Sequence, residues 1–419
     1  VLLALLLVPL GWNAVRAAER EAPPLSPEKI QRGIEKSRDW LLREQLGNGA
    51  WECTIRTEET RIGTTSLVML ALANAGLEAN HVAMQRGLEW LRRQQPDDTY
   101  SVSLQTMILA ILSPDADRAI LQRNVEWLES SQVSQGPLTG SWGYGRAKGS
   151  GDNSNAQFAL LGLHEADKVG VRVQPEVWMK AQQWWVSCAN ADGSWGYNLG
   201  LGGSGSMTCA GITSIWITAE HIGTPDARAA SDHVSCCGGG TSPRVLERGL
   251  DWLGRRFSVV ENPASGQTWL HYYLYGLERV GRFTARRFIG ESDWYLEGAR
   301  MLVSTQDAFS GAFRGGRIED ATVATSFALL FLAKGRRPVI VAKSRHDPDQ
   351  DWNRHGHDIS HLVAHVESRW KKEYPAGLSW HVLDTRSAGL EDLLQTPVLW
   401  LSGKNAFDLG PNPGLRLRR

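Results

Sequence analysis

The chain is 419 residues long, with 45 Lys and Arg against 45 Asp and Glu and a formal net charge of zero. That length has room for two domains or one large toroidal or solenoidal one, with ample material for a core. The charge balance excludes the basic footprint of a nucleic-acid binder or an anionic-membrane patch.

The chain opens on "VLLALLLVPLGWNAVRAAER", in which residues 1–17 read as a secretory signal, with small residues at Val15 and Ala17 suited to peptidase cleavage. It has no initiator Met and no basic leader, so the true start is expected upstream. The apolar run of about ten residues is too short to span a bilayer core of roughly 30 Å. The expectation is export to the periplasm or beyond, with membrane association left open and no transmembrane span after the signal.

From residue 28 to residue 340 the sequence repeats. "RDWLLREQLGNGAW" is echoed by "LEWLRRQQPDDTY", "VEWLESSQVSQGPLTGSW", "QQWWVSCANADGSW", "LDWLGRRFSVVENPASGQTW" and "ARMLVSTQDAFSGAF". Anchored on Trp40, Trp90, Trp127, Trp184, Trp252 and Met301, the copies step by 50, 37, 57, 68 and 49 residues. Each continues into a second, more apolar segment, from "TTSLVMLALANAG" in the first to "ATVATSFALLFLAKG" in the last. These segments lack internal Pro, are rich in Ala and Leu, and often open on Ser, Thr or Asn and close on Gly, the signature of capped helices. The prediction is six helix pairs in a closed, mainly α, α/α toroid. A helix without a polar face must be buried on most sides, so the second helices should form the inner ring.

In the first copy, Gln45, Gly49 and Trp51 follow the pattern Gln-x-x-x-Gly-x-Trp. The amide can satisfy backbone groups left open where one helix ends and the next begins, Gly permits a tight turn, and Trp covers both with an apolar face. Trp142, Gly193 and Trp195 hold the matching places in later copies, whereas the fourth has Ala189 where Gln is expected and the sixth ends in Phe313. This pattern resembles the QW motif of the prenyltransferase and squalene-oxidase repeat, the building block of squalene-hopene cyclases and protein prenyltransferase β subunits. The resemblance implies a terpene cyclase-like α/α toroid with a central cavity.

The chemistry of those enzymes does not carry over. Class II terpene cyclases protonate an alkene with the middle Asp of an Asp-x-Asp-Asp motif, and no such tetrapeptide occurs. Asp115 and Asp117, or Asp347, Asp349 and Asp351, read as loop acids. The zinc of protein prenyltransferases is held by Asp, Cys and His. Cys209 stands roughly where that family places its Cys, but no Asp or His accompanies it, and a small buried thiol is the expectation. No metal and no cofactor is implied. Cys53, Cys188, Cys209, Cys236 and Cys237 make an odd count that leaves at least one thiol unpaired and the disulfide pattern open.

"GSGDNSNAQFALLGL" brings polar residues to the start of an inner helix. Asp152 or Asn153 is either a simple N-cap or the edge of a binding mouth into which Asn155 and Gln157 project. Tyr144, Tyr197, Thr208, Cys209, Trp269, Tyr272 and Tyr273 come from corresponding positions. Aromatic rings beside a few amides suit an isoprenoid chain or a sugar ring. His164, His221 and His271 are scattered and read as capped or surface histidines.

Residues 341–366 read as a linker, in which His357, His361 and His365 share one side of a polar helix without an H-E-x-x-H arrangement. Residues 367–419 carry two strand-like runs, "LSWHVLD" and "PVLWLSG", around "GLEDLLQ", an α/β beginning. This stretch resembles the opening of an uncharacterised bacterial domain, family 4159 of the domains of unknown function. The match stops near Asp408, which reads as truncation. The expected function is an exported, non-catalytic toroid that binds a lipid, glycan or protein through its cavity or rim. The alternative is a divergent enzyme, either terpene cyclase-like or a polysaccharide lyase or hydrolase.

Overall fold

The computed structural model describes residues 25–54, 57–146, 150–222, 228–229, 234–235, 244–315, 318–334, 339–346, 351–353, 358–370, 378–385, 388, 393 and 396–403. The signal-like residues 1–17, Cys236 and Cys237, and His357 lie outside these. Six helices form an outer layer: α1 (Pro27–Arg43), α3 (Val82–Arg92), α5 (Arg118–Ser131), α7 (Pro175–Ser187), α9 (Arg244–Arg255) and α11 (Trp294–Thr305). Their partners are α2 (Thr57–Asn74), α4 (Thr99–Leu112), α6 (Asn153–Lys168), α8 (Gly205–Ile222), α10 (Leu270–Phe283) and α12 (Ala321–Lys334). Each of these packs on the next, and α12 returns to α2, so the ring closes. The chain has the α/α-toroid fold.

Burial separates the two layers as their side chains dictate. In α1 one stripe is buried, Ile30, Gly33, Ile34, Ser37 and Leu41, at helical spacing. In α4 every residue from Ser101 to Ala110 is buried, and in α6 every residue from Asn153 to His164. The middle turns of all six inner helices are likewise covered on every side. Each fully buried Leu, Ile, Val or Phe among them contributes about 1.5–3 kcal/mol, and together they fill the axis of the ring. The central cavity implied by the family resemblance is therefore reduced to the end where the inner helices begin.

The loops at that end hold neighbouring units together. The Gln45 amide donates to Gly49 O (2.9 Å) and to Ala83 O at the start of the next outer helix (2.8 Å). Gln132 reaches Gly140 O and Val177 O in the same way. Gln306 closes the ring on Gly33 O and Ser37 Oγ of the first helix. The indole N–H of Trp51, Trp142 and Trp195 donates to Leu41 O, Leu128 O and Trp185 O in the preceding outer helix. Gly49, Gly140, Gly193 and Gly311 all adopt positive φ, between 83° and 95°. A Cβ on Gly193 would stand 2.4 Å from Arg248 O of the next unit. In the fourth unit, which lacks its Gln, Asp192 Oδ2 accepts from the Trp252 indole (2.9 Å) and Arg248 donates to Asn190 O and Ala191 O.

After the ring, β1 (Val339–Arg345) is the central strand of a parallel sheet ordered β2-β1-β3, with β2 (Ser379–Asp384) and β3 (Val398–Trp400) at its edges. The helix α13 (Asp358–Arg369) crosses over one face, where Ile359 and Val363 pack on Val341 and Leu378. Residues 341–366, expected as a linker, thus contain most of the central strand and the crossover helix. Its α/β character agrees with the sequence reading. The sheet meets the toroid where Val382 N donates to Ala285 O (2.6 Å).

Candidate functional site

The beginnings of α4, α6 and α10, with the loops before α6, α8 and α10, form the accessible mouth of the ring. Tyr144, Tyr197 and Trp269 stand on its rim, 58%, 41% and 39% exposed. The Tyr144 and Tyr197 hydroxyls meet at 3.1 Å. From the rim inward the aromatic rings form a continuous series. Tyr144 lies 5.9 Å from Tyr100, Tyr100 4.7 Å from Phe158, Phe158 6.3 Å from Tyr272, and Tyr272 5.7 Å from Phe327. Trp269 meets Tyr272 edge to face at 6.5 Å and holds a left-handed backbone, φ 55°, at the cap position of α10. A non-glycine residue there stores strain of about 1–3 kcal/mol.

The polar groups of the mouth are satisfied in layers. Asp152 caps α6: Oδ1 accepts from Asn155 N (2.9 Å) and Ser154 Oγ (2.6 Å), and Oδ2 from Asn155 Nδ2 (2.8 Å). Asp98 caps α4 through Ser101 N. Asn153 turns away and ties the Trp184 indole and Gly196 O. Deeper, Gln157 Nε2 donates to the Tyr272 hydroxyl, and Gln157 Oε1 accepts from Arg279 Nη2 (2.9 Å).

Arg279 is the unusual member. It is 3% exposed, its guanidinium lies 4.0 Å from the Tyr275 ring centroid, and its Nε and Nη1 have no hydrogen-bond partner. Its neighbour Glu278 pairs instead with Arg282 (3.3 Å). A buried cation without a carboxylate is costly, and the aromatic faces offset only part of that cost. Asn155 Oδ1, also buried, has no partner either. Burial pushes the phenols of Tyr100, Tyr197 and Tyr272 up, Arg279 opposing it at Tyr272, so all three are neutral hydroxyls in ordinary buffers.

Of the residues singled out in the sequence, Tyr144, Asp152, Asn155, Gln157, Tyr197, Trp269 and Tyr272 come together at this mouth. Thr208 instead accepts from Trp195 N (3.2 Å), as Thr65 and Thr325 do from Trp51 N and Phe313 N, and so ties inner helix to loop. The Tyr273 hydroxyl donates to Ser258 O (2.9 Å). Cys209 is fully buried, with its thiol pushed up by burial. Cys188 and Cys209 are free thiols. Among the described residues no group of three or more His, Cys, Asp or Glu could hold a metal ion.

Sequence reasoning missed Tyr100, Phe158 and Arg279. Arg279 had a signal: in "LHYYLYGLERVGRF" a charged pair interrupts a helix that should be apolar all round. The histidines are also not as expected. His164 Nδ1 lies 3.0 Å from His221 Nε2, His221 Nδ1 lies 3.5 Å from Asp167, and Trp178 stacks on His221 at 4.0 Å. His271 Nδ1 lies 2.8 Å from Glu319 Oε2, both buried. Asp117, expected as a loop acid, is buried and makes a two-point ion pair with Arg92 at 2.8 and 2.9 Å.

By sequence, no family model matches the chain, and no curated protein does so either. By structure it is similar to an inactive variant of the α-1,6-mannanase GH76A of a Salegentibacter species in complex with α-1,6-mannotetrose. That likeness has a TM-score of 0.52 at 12% identity and covers 73% of this chain and 98% of the other. A possible member of family GH105 from Klebsiella pneumoniae gives a TM-score of 0.50 at 13% identity, over 79% and 98% of the two chains. The type II terpene cyclase MstE from Scytonema gives 0.47 at 12% identity, over 73% and 98%. At such identities likeness speaks to fold and to nothing finer.

Proposed function

We propose that this is an exported α/α-toroid protein that binds a glycan at the mouth of its inner ring. The observation that carries the reading is the aromatic series from Tyr144 and Tyr197 on the rim to Tyr272, with amides and hydroxyls between the rings and a packed axis beneath. A long isoprenoid needs an enclosed apolar channel, which a filled axis does not offer. A sugar ring needs what the rim exposes, the faces of Tyr144, Tyr197 and Trp269 with the paired phenol hydroxyls beside them. Export rests on the apolar N-terminal segment.

Binding is favoured over turnover by the fate of the carboxylates. Glycoside hydrolysis ordinarily requires two of them facing the scissile bond, about 5–9.5 Å apart. Asp98 and Asp152, at the starts of α4 and α6, both serve as helix caps.

The test is mass spectrometry of small molecules retained by the purified protein, followed by calorimetric titration of the oligosaccharide found, with wild type and with Tyr144→Ala/Tyr197→Ala. The expected result is a retained oligosaccharide whose affinity falls about tenfold in the double variant, the loss of one or two ring contacts. A stoichiometric isoprenoid, or an affinity indifferent to both tyrosines, would overturn the reading.

A further inference from the structure

Beside the mouth, between the start of α10 and the end of α11, lies a cleft of about 440 Å³ lined by Gln267, Leu270, His271, Asp307, Phe313 and Arg314 among others. We propose that this cleft is a second site, for a hydroxy-carboxylate such as the uronic acid unit of an acidic glycan. His271 Nε2 would accept a ligand hydroxyl's hydrogen and Arg314 would pair with the carboxylate.

The Glu319 side chain is completely buried. Its Oε1 accepts from Tyr272 N (2.9 Å) and its Oε2 from His271 N (3.3 Å), so it covers the open end of α10. Backbone N–H groups only donate, so both carboxylate oxygens are already acceptors when the imidazole approaches. With Glu319 as a carboxylate, the third contact, 2.8 Å to Oε2, takes His271 Nδ1 as its donor. In the neutral ring this leaves the Nε2 lone pair free, and Nε2 makes no hydrogen bond among the described residues. Phe313, edge to face at 5.7 Å, holds the ring in place. A carboxylate that orients an imidazole and fixes its tautomer is the arrangement proteins use when the outer nitrogen must accept a proton or a hydrogen bond.

The lining also supplies charge. Arg314 is exposed, makes no hydrogen bond among the described residues, and adds to the Ser310 hydrogen bonds in holding the Asp307 carboxyl below its ordinary value. Asp307, the other ionisable group of the lining, turns Oδ1 into its own loop, accepting from Phe309 N, Ser310 N and Ser310 Oγ. The cleft thus offers an acceptor and a guanidinium, while the Gln267 amide nitrogen is spent on Val260 O. Among the described residues that line it there is no Ser or Cys, and a covalent nucleophile is not part of the proposal. The inference does not rest on the mouth being a glycan site, because the two share no side chain.

The experiment uses the full chain labelled with ¹⁵N histidine. The His271 ring is assigned by the loss of its signals in His271→Gln, and D-glucuronate is titrated with D-glucose as the neutral control. The expected spectrum shows Nδ1 protonated and an Nε2 signal that shifts with glucuronate and not with glucose. In Arg314→Gln the apparent affinity for glucuronate falls about tenfold, as for loss of a charge-assisted contact. Arg314 is exposed and its replacement leaves folding intact, whereas Glu319→Gln would also uncap α10. A proton on Nε2, an Nε2 signal indifferent to glucuronate, or an equal response to glucose would each overturn the proposal. Glucuronate binding that calorimetry finds lost in Tyr144→Ala/Tyr197→Ala while the His271 signals stay still would overturn this site and leave the mouth reading standing.

Discussion

At the mouth of the inner ring, polar side chains are amides, phenols, two capping carboxylates and, deeper, the Arg279 guanidinium bound to Gln157. At the opposite end, where α6 and α8 finish, His164, His221, Asp167 and Glu220 stand among Trp178 and Phe283 instead. Burial raises the mouth phenols further above neutrality and raises the Asp98 carboxyl as well. At the far end burial takes His164 down to about 3 and Glu220 up to about 7. The far end therefore carries the carboxyl brought nearest to neutral pH.

The largest test of that difference is Gly193→Ala. A Cβ in a backbone of φ 95°, pressed toward Arg248 O, should cost about 4 kcal/mol from strain and overpacking combined. Denaturant unfolding should show that loss equally at pH 5 and pH 8. A loss confined to one pH would contradict the division between the ends.

Glu220→Gln should act in the opposite sense. Its folded value lies above the unfolded value, so the folded state holds the proton longer and stability falls as pH rises from about 4.5 to about 7. The variant should gain up to about 3 kcal/mol at pH 8 and nothing at pH 4. His164 works from the other side: its folded value lies below the unfolded value, so stability falls as pH drops from 6.5 toward about 3. The two windows overlap, so thermal stability should be nearly flat from about pH 4.5 to 6.5 and fall on either side, and Glu220→Gln should turn that plateau into a rise with pH.

Gln132→Ala removes two buried hydrogen bonds, one of them to the next unit, and leaves two carbonyls open. About 2 kcal/mol should be lost at any pH, read by the same unfolding curves. The smallest expected effect is none. Ligand affinity at the mouth should change less than twofold between pH 6 and pH 8, because Tyr100, Tyr197 and Tyr272 stay protonated throughout. A steep change measured by calorimetry would bring a titrating group into the site.

The repeat was legible because each unit contributes the same two periodicities, an amphipathic stripe anchored by Trp40 or Trp90 and a run such as "SVSLQTMILAILS" with no polar face. The ties at Gln45, Gly49 and Trp51 are local, so their physics could be argued from one loop. What stayed hidden depends on residues distant in sequence. Glu319 lies 48 positions from His271 and Gln157 lies 122 from Arg279, and nothing near either residue announces its partner. The strand β1 was missed for a related reason. "PVIVAKSR" offers only a short apolar run, and its hydrogen-bonding partners come after residue 378. The filled axis could not be read at all, since the side chains that close it belong to six different helices.

The bond from Gln306 to Gly33 and Ser37 makes the toroid a hoop. An open solenoid can lose a terminal repeat and keep the rest, because each repeat leans on its neighbours in a line. Here every pair has a neighbour on both sides, so deleting any one leaves two raw faces instead of one. The same closure brings the first and sixth units side by side, so new termini placed in a loop on the far end, with the old ones joined, would preserve every contact in the ring.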